Sequence, residues 1–161
     1  MSVNHISGIF VLRRSLFINA SPDIVWDFLS DPSNLGKITP PSMNFLIRFK
    51  SDNGTGKVYA GQIICYKVTP LPFIRASWVT EITQVKEGYY FIDEQRFGPY
   101  SFWYHQHMIH PSENGTLMED IISFKIPFGL FGRLFGAWLV KSKLKQIFDF
   151  REKVLNEMFP E

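Results

Sequence analysis

The chain has 161 residues, and its 17 Lys and Arg against 15 Asp and Glu give a net charge of +2. This length fits one domain, and 45% hydrophobic with 20% charged residues excludes a chain that is disordered throughout. So small a net charge does not predict a nucleic-acid-binding protein, in which basic residues concentrate on one face.

Cysteine content and hydropathy restrict the chain further. The single cysteine, Cys65, excludes an intrachain disulfide, and its apolar neighbours indicate a small core residue in a strand. Residues 1–8 lack the basic start and apolar stretch of a secretory signal, and no stretch reaches the roughly 18 apolar residues of a membrane span. We therefore expect one domain over residues 1–161, located in the cytoplasm, without stable membrane insertion.

The N-terminal third predicts a strand and two short helices. Residues 10–18 are rich in Phe, Val, Leu and Ile, which is typical of a strand. Ser21-Pro22-Asp23 combines a favoured N-cap, a favoured first helical residue and an acidic first turn, so a helix is predicted through residue 29. Asp31-Pro32 repeats this pattern and predicts a second short helix. Thr39-Pro40-Pro41 must end it, because proline and the residue before it both resist helix.

Turn signals divide the middle of the chain into apolar segments. Pro70-Leu71-Pro72 and Gly98-Pro99 break strands, and Asn114-Gly115 is a strong hairpin signal. Including the first, seven strands are predicted, over residues 10–18, 45–50, 57–68, 74–85, 89–97, 102–110 and 116–126.

A long amphipathic helix is predicted at the C-terminus, over residues 130–158. Its apolar stripe contains Leu134, Trp138, Leu144, Ile147, Phe148, Arg151, Leu155 and Met158. Six sequential strands form a meander that must curl, and one long helix packs on the concave face. The order of elements therefore predicts an α+β domain: a curled seven-stranded antiparallel sheet wrapped around a long C-terminal helix, with an internal cavity left between them.

Several short motifs also occur in a characteristic order. They are Val25-Trp26, Leu35, Thr39-Pro40-Pro41, Trp78 with Ile82, Phe91-Ile92-Asp93-Glu94-Gln95 before Gly98-Pro99, Trp103-Tyr104-His105-Gln106-His107, Gly115-Thr116 with Asp120, and Pro127-Phe128-Gly129. Over nearly its whole length the chain resembles the SRPBCC superfamily of START, pollen-allergen-like and polyketide-cyclase proteins, and in particular its bacterial ligand-binding branch. The resemblance implies the helix-grip fold. It implies no single chemistry, because this superfamily includes lipid carriers, hormone receptors, cyclases and binding modules.

Strand alternation predicts which side chains face the cavity. In segment 102–110, Trp103, His105 and His107 share one face, and in segment 89–97, Phe91 shares its face with Phe97. These faces carry most of the apolar residues of the last two strands, so we place them inward. The predicted ligand-binding residues are Trp78, Phe91, Asp93, Gln95, Trp103, His105, His107, Asp120 and Ile122.

The polar residues in this set admit several interpretations. A few placed polar groups in an apolar pocket are typical of small-molecule sites, so we expect a small hydrophobic or amphipathic ligand, lipid- or polyketide-like. Alternatively the polar residues form an internal network that only locks the sheet. A third interpretation is an interaction module whose cavity is filled by its own aromatic side chains, 16 of them Phe. The sequence does not specify the oligomeric state, and a homodimer is one possible arrangement.

Two kinds of chemistry are conceivable for the histidines. His105 with Asp93 or Asp120 would be the catalytic pair of an acid–base cyclase or dehydratase, although the sequence does not favour an enzyme. His105 and His107 point the same way on a strand, as zinc ligands do. The candidate third ligands are Asp93, Asp120 and His110, of which His110 lies on the opposite face. Without a demonstrated third ligand, the sequence predicts neither a metal nor any other cofactor.

Overall fold

The computed structural model describes residues 2–6, 8–71, 74–127 and 136–160. The described residues include eight strands: β1 (Ser2–Ile6), β2 (Ile9–Ile18), β3 (Leu46–Lys50), β4 (Gln62–Leu71), β5 (Ile74–Lys86), β6 (Tyr90–Phe97), β7 (Phe102–Ser112) and β8 (Gly115–Lys125). They form one antiparallel sheet in the order β1-β2-β8-β7-β6-β5-β4-β3. From β3 to β8 each strand pairs with its neighbour in sequence, whereas β2 pairs with β8 and joins distant parts of the chain.

Helices cover the sheet. A short helix, α1 (Pro22–Leu29), follows β2, and a long helix, α2 (Ala137–Met158), ends the chain. The buried α2 side chains Leu144 and Phe148 belong to one core cluster with sheet residues, and Leu155 belongs to a second one. The α+β architecture predicted from the sequence, a curled antiparallel sheet with a long C-terminal helix, is confirmed.

The strand count is eight rather than the seven predicted. The additional strand is β1, which forms a hairpin with β2 at one edge of the sheet. Gly8 stands in the connecting turn with a φ of 85°, a conformation that glycine adopts without steric cost. The pattern of β1 was missed because its five residues include the polar Ser2, Asn4 and His5.

Two strands depart from the prediction in a way that affects the site, β4 in its limits and β6 in its register. Residues 57–61 lie outside β4, which begins at Gln62 and continues through Pro70 to Leu71. The register shifts between Val68 and Leu71, which interrupts the ladder of backbone hydrogen bonds at Pro70. Proline fits there because no backbone N–H donor is required at that position. In β6, Thr80 pairs with Gln95 and Val79 with Phe97, which leaves one extra residue between them. Phe97 is therefore 66% exposed instead of sharing the inward face of β6.

The short helices also differ in detail. Ser21 precedes α1, but its side chain makes no capping hydrogen bond. The second helix is a single 3-10 turn at Pro32–Asn34, in which the Asp31 carboxylate accepts a hydrogen bond from the Ser33 N–H at 2.9 Å. A further 3-10 turn, Pro41–Met43, forms where the sequence predicted only a stop. Proline suits the first position of such a turn because its φ is already fixed.

The long helix is confirmed from Ala137 to Met158, while residues 130–135 of the prediction lie outside the described residues. Trp138 is 76% exposed, so its assignment to the apolar stripe is wrong. The buried side of α2 is set by Leu144, Phe148 and Leu155, which are all at most 4% exposed. Cys65 lies in β4 as expected, but it is half-buried rather than part of the core.

Gly115 shows how closely β2 and β8 approach. A Cβ at this position would lie 2.4 Å from the Ile18 carbonyl oxygen and 2.8 Å from the Phe17 ring. We therefore expect Gly115→Ala to lower the free energy of unfolding by about 1–3 kcal/mol, the usual cost of overpacking. Urea denaturation measures this loss. Gly36→Ala is the control, because its Cβ would meet only the Phe45 ring at 3.6 Å. Equal stability of the two variants would contradict the prediction.

Candidate functional site: an apolar cavity with a buried histidine–aspartate cluster

A cavity of about 490 Å³ is lined by residues of the sheet, of α1 with its following turns, and of α2. Most lining residues are apolar, among them Ile38, Val68 and Ile122. The described aromatic side chains leave this space open, and the interpretation of a core filled by aromatic side chains stays an alternative, since four of the 16 Phe lie outside the described residues. Four ionisable side chains meet at one part of the wall: Asp93, His105, His107 and Arg151.

The strand register brings the histidines and aspartates together. In the middle strand β7, His105 is paired with Asp93 of β6, and His107 is paired with Asp120 of β8. His105 and His107 are two residues apart and so share the inner face. Each carboxylate is therefore directly opposite one ring and diagonal to the other, within reach of both. We call these four residues the His–Asp cluster.

Within the His–Asp cluster each imidazole contacts both carboxylates. His105 Nε2 is 2.8 Å from Asp120 Oδ1, and His105 Nδ1 is 3.4 Å from Asp93 Oδ2. His107 Nε2 is 2.8 Å from Asp93 Oδ2, and His107 Nδ1 is 3.0 Å from Asp120 Oδ1. The two ring centroids are 3.8 Å apart, far less than the roughly 6.6 Å that two residues span along a strand. The carboxylates thus draw the two rings together.

Arg151 of α2 adds a cation to the cluster. Its Nη1 lies 3.4 Å from both oxygens of Asp120, which is fully buried, and Arg151 itself is only 6% exposed. The sequence placed Arg151 in the apolar stripe of the helix without assigning it a role. A charged residue in such a stripe is the signal that would have identified it, because a buried charge requires a partner. The partner of Arg151 is Asp120, which is 31 positions away, so the spacing of residues along the helix could not identify it.

Burial and hydrogen bonding act in opposite directions on these ionisable groups. Burial alone would raise the pKa of Asp93, but hydrogen bonds with His105 and His107 reverse this and hold it below its usual range. Burial likewise opposes ionisation of Asp120, while the Arg151 charge and the histidines hold its pKa well below the ordinary value. Burial would lower the pKa of His105, yet its hydrogen bonds to Asp120 and Asp93 leave it raised. The cluster therefore contains two carboxylates that stay ionised.

Other aromatic groups complete the wall beside the cluster. The Trp103 indole donates to Asp93 Oδ1 at 3.3 Å, and the Phe91 ring stacks on His107 with centroids 4.2 Å apart. The Tyr66 and Thr80 hydroxyls are 3.2 Å apart, and burial raises the pKa of Tyr66 so that its phenol stays neutral. Neither Tyr66 nor Thr80 is among the ligand-binding residues predicted from the sequence. The sequence signal for Thr80 was its position two residues after Trp78, which puts both side chains on the same face of the strand.

The structure distributes the nine predicted ligand-binding residues over three locations. Asp120 is fully buried behind the histidines and does not line the cavity. Gln95 turns away from it, because its side-chain amide donates to the Tyr100 carbonyl at 2.6 Å and accepts from the Tyr100 N–H at 3.2 Å. The other seven line the cavity: Trp78, Phe91, Asp93, Trp103, His105, His107 and Ile122. Their role in binding remains a prediction.

The structure also distinguishes between the three residues that the sequence offered as a third metal ligand beside His105 and His107. Asp93 forms a group with His105 and His107 in which one ligand atom of each lies within 4.8 Å of the others. Asp120 contacts the other nitrogen of each ring. His110 is 46% exposed by side chain and lies 3.9 Å from Glu119, on the outer face. His105 Nδ1 lies 3.4 Å from Asp93 Oδ2, and the role of these two residues as a catalytic pair stays a prediction.

Solved structures from several sources share this architecture. A structure from Thermus thermophilus has a TM-score of 0.71 at 15% identity, covering 91% of this chain and 94% of that one. A START superfamily protein from Mycobacterium smegmatis has a TM-score of 0.65 at 12% identity, covering 92% and 96%. The chain has the helix-grip fold.

A plant helix-grip enzyme is also similar in structure. Norcoclaurine synthase from Thalictrum, a point mutant in complex with a transition-state analogue, has a TM-score of 0.63 at 14% identity, with 98% of each chain covered. No protein-family model and no curated relative matches the chain. The resemblance to the SRPBCC superfamily is thus confirmed at the level of the helix-grip fold. Among the described residues, no helix has the length and hydropathy needed to cross a membrane.

Proposed function

We propose that this helix-grip protein binds a small hydrophobic or amphipathic molecule, lipid- or polyketide-like, inside the cavity. The observation that carries this proposal is the combination of an apolar wall with one concentrated polar cluster. Ligand pockets of about 300–1,000 Å³ usually have this composition, since apolar contacts supply affinity and a few polar groups fix orientation. The cavity volume of about 490 Å³ lies within that range.

Polar side chains on the cavity wall support a ligand with a polar end. Asp93, His105 and His107 all line the cavity. A ligand hydroxyl or amine would form hydrogen bonds with these side chains, while its apolar part contacts Phe91 and Ile122.

Titration with a fluorescent apolar probe, anilinonaphthalene sulfonate, followed by displacement with a fatty-acid series, tests the proposal. We expect saturable binding accompanied by a change in tryptophan emission, because Trp78 and Trp103 form part of the wall. Val68→Phe fills space at a buried cavity position and should weaken binding at least tenfold. Circular dichroism checks that this variant is folded. Val58→Phe applies the same test at a second buried position of the cavity wall.

The matched control for Val68→Phe is Leu46→Phe, which enlarges a side chain that is 52% exposed on β3. This control should bind the probe as the unchanged protein does. Absence of saturable binding for the probe and all fatty acids would overturn the proposal. So would equal affinity of the folded Val68→Phe, Val58→Phe and Leu46→Phe variants.

Acid–base catalysis is a second candidate, favoured by the contact between His105 and Asp93 on the cavity wall. A histidine beside a carboxylate in a dry pocket can transfer a proton to or from a bound substrate. Native mass spectrometry of protein isolated from its own host identifies the molecule it carries. Recovering that molecule unchanged after incubation supports carriage, whereas its conversion supports catalysis.

A further inference from the structure

Three atoms of the His–Asp cluster converge on one point at the cavity wall. Asp93 Oδ2 lies 3.4 Å from His105 Nδ1 and 2.8 Å from His107 Nε2, and the three residues offer ligand atoms within 4.8 Å of one another. Tetrahedral zinc with bonds of about 2.0–2.1 Å holds its ligand atoms about 3.3 Å apart. The separation of 3.4 Å matches this value, whereas the separation of 2.8 Å is a hydrogen-bond distance that metal binding would lengthen.

The two carboxylates concentrate negative charge at this point. The two imidazoles make four nitrogen–oxygen contacts with Asp93 and Asp120. Two neutral rings carry only two N–H donors between them, so the four contacts require either further protons on the rings or a cation. A divalent ion held by one nitrogen of each ring and by Asp93 supplies that positive charge.

Asp120 and Arg151 supply the outer contacts that a metal site of this kind requires. His105 Nε2 and His107 Nδ1, the nitrogens that face away from the convergence point, lie 2.8 and 3.0 Å from Asp120 Oδ1. Metal-bound histidines almost always donate their second N–H to such a carboxylate, which fixes the tautomer and the ring orientation. Arg151, 3.4 Å from Asp120, holds that carboxylate ionised.

We infer that Asp93, His105 and His107 form a site for a divalent first-row transition metal ion of the zinc type. Two imidazoles and one carboxylate suit zinc or ferrous iron and leave coordination positions free. All three residues line the cavity, whereas Asp120 lies behind them, so the free positions face the cavity. The site is defined by protein atoms alone. Coordination of a ligand oxygen by the ion is a consequence that rests on the proposed function.

Isothermal titration of chelator-treated protein with Zn²⁺ tests the site, with Mg²⁺ as the hard-cation comparison. We expect saturable binding of one Zn²⁺ per chain and little heat from Mg²⁺, because imidazole favours the softer ion. Co²⁺ should give the visible absorption bands of a four- or five-coordinate ion. The absence of both saturable Zn²⁺ uptake and Co²⁺ bands would overturn the inference. The cluster would then be stabilised by hydrogen bonds alone.

Three variants locate the bound ion. Asp93→Asn should weaken Zn²⁺ binding at least tenfold, and Asp120→Asn should weaken it about 10–100-fold, the usual effect of an orienting residue. His110→Gln is the matched control, a histidine on the same strand that lies on the outer face, and should bind as the unchanged protein does. Equal affinity of all three folded variants would overturn the site. Probe binding measured in excess chelator tests the proposed function separately.

Discussion

Replacing Asp120 with alanine is expected to lower the free energy of unfolding by about 3–5 kcal/mol, the usual cost of removing one partner of a buried ion pair. Asp120 is fully buried, and it contacts His105, His107 and Arg151. Without it the Arg151 guanidinium remains buried with no anion beside it. Urea denaturation in the presence of a chelator measures the loss without a contribution from bound metal.

Glu119→Ala provides the comparison for Asp120→Ala, because it removes a carboxylate from the next position of the same strand. The Glu119 side chain is 28% exposed and lies 3.6 Å from Arg13, which is 50% exposed. Surface pairs of this kind contribute at most about 1 kcal/mol. If Asp120→Ala were no more destabilising than Glu119→Ala, the four cluster residues and Arg151 would not act as a linked network.

Phe124→Ala should also cost about 3–5 kcal/mol, since truncation of a buried phenylalanine removes its contacts and leaves a cavity. The Phe124 ring is fully buried on β8, with centroids 5.4 Å from Phe10 and 5.8 Å from Tyr100. Thermal or urea unfolding measures the effect. Phe97→Ala removes a ring that is 66% exposed and should stay within about 0.5 kcal/mol of the unchanged protein. Similar losses in both variants would contradict the assignment of the core.

The inner face of β7 could be predicted from the sequence because strand alternation depends only on neighbouring residues. Trp103, His105 and His107 are all buried, as the apolar pattern of this strand indicated. Gln95 could not be placed in the same way. A bulge next to it shifts the pairing with β5, and its amide instead binds Tyr100 in the turn after β6. Such a local rearrangement has no signature in the alternation of the strand.

The contacts between distant segments were likewise beyond the sequence pattern. Helical spacing placed Arg151 on the inner side of α2, but not beside Asp120, since spacing gives no register between a helix and a sheet. The same limitation applies to Trp138, which the spacing assigned to the apolar stripe and which is 76% exposed. Asp93 and Asp120 are each paired with one histidine of β7, so they could be distinguished as metal ligands only by position, since Asp93 lines the cavity and Asp120 does not.

The pairing of β2 with β8 determines when the sheet can be completed during synthesis. Phe10 is paired with Phe124, and the Thr116 hydroxyl donates to the Ala20 carbonyl, 96 positions earlier in the chain. The hairpin of β1 and β2 precedes the other described strands in the chain, yet its neighbour in the sheet is β8, the strand that follows all the others described. Closing so long a loop is slow compared with forming local hairpins. The edge of β2 that faces β8 therefore stays unpaired until β8 has been synthesised.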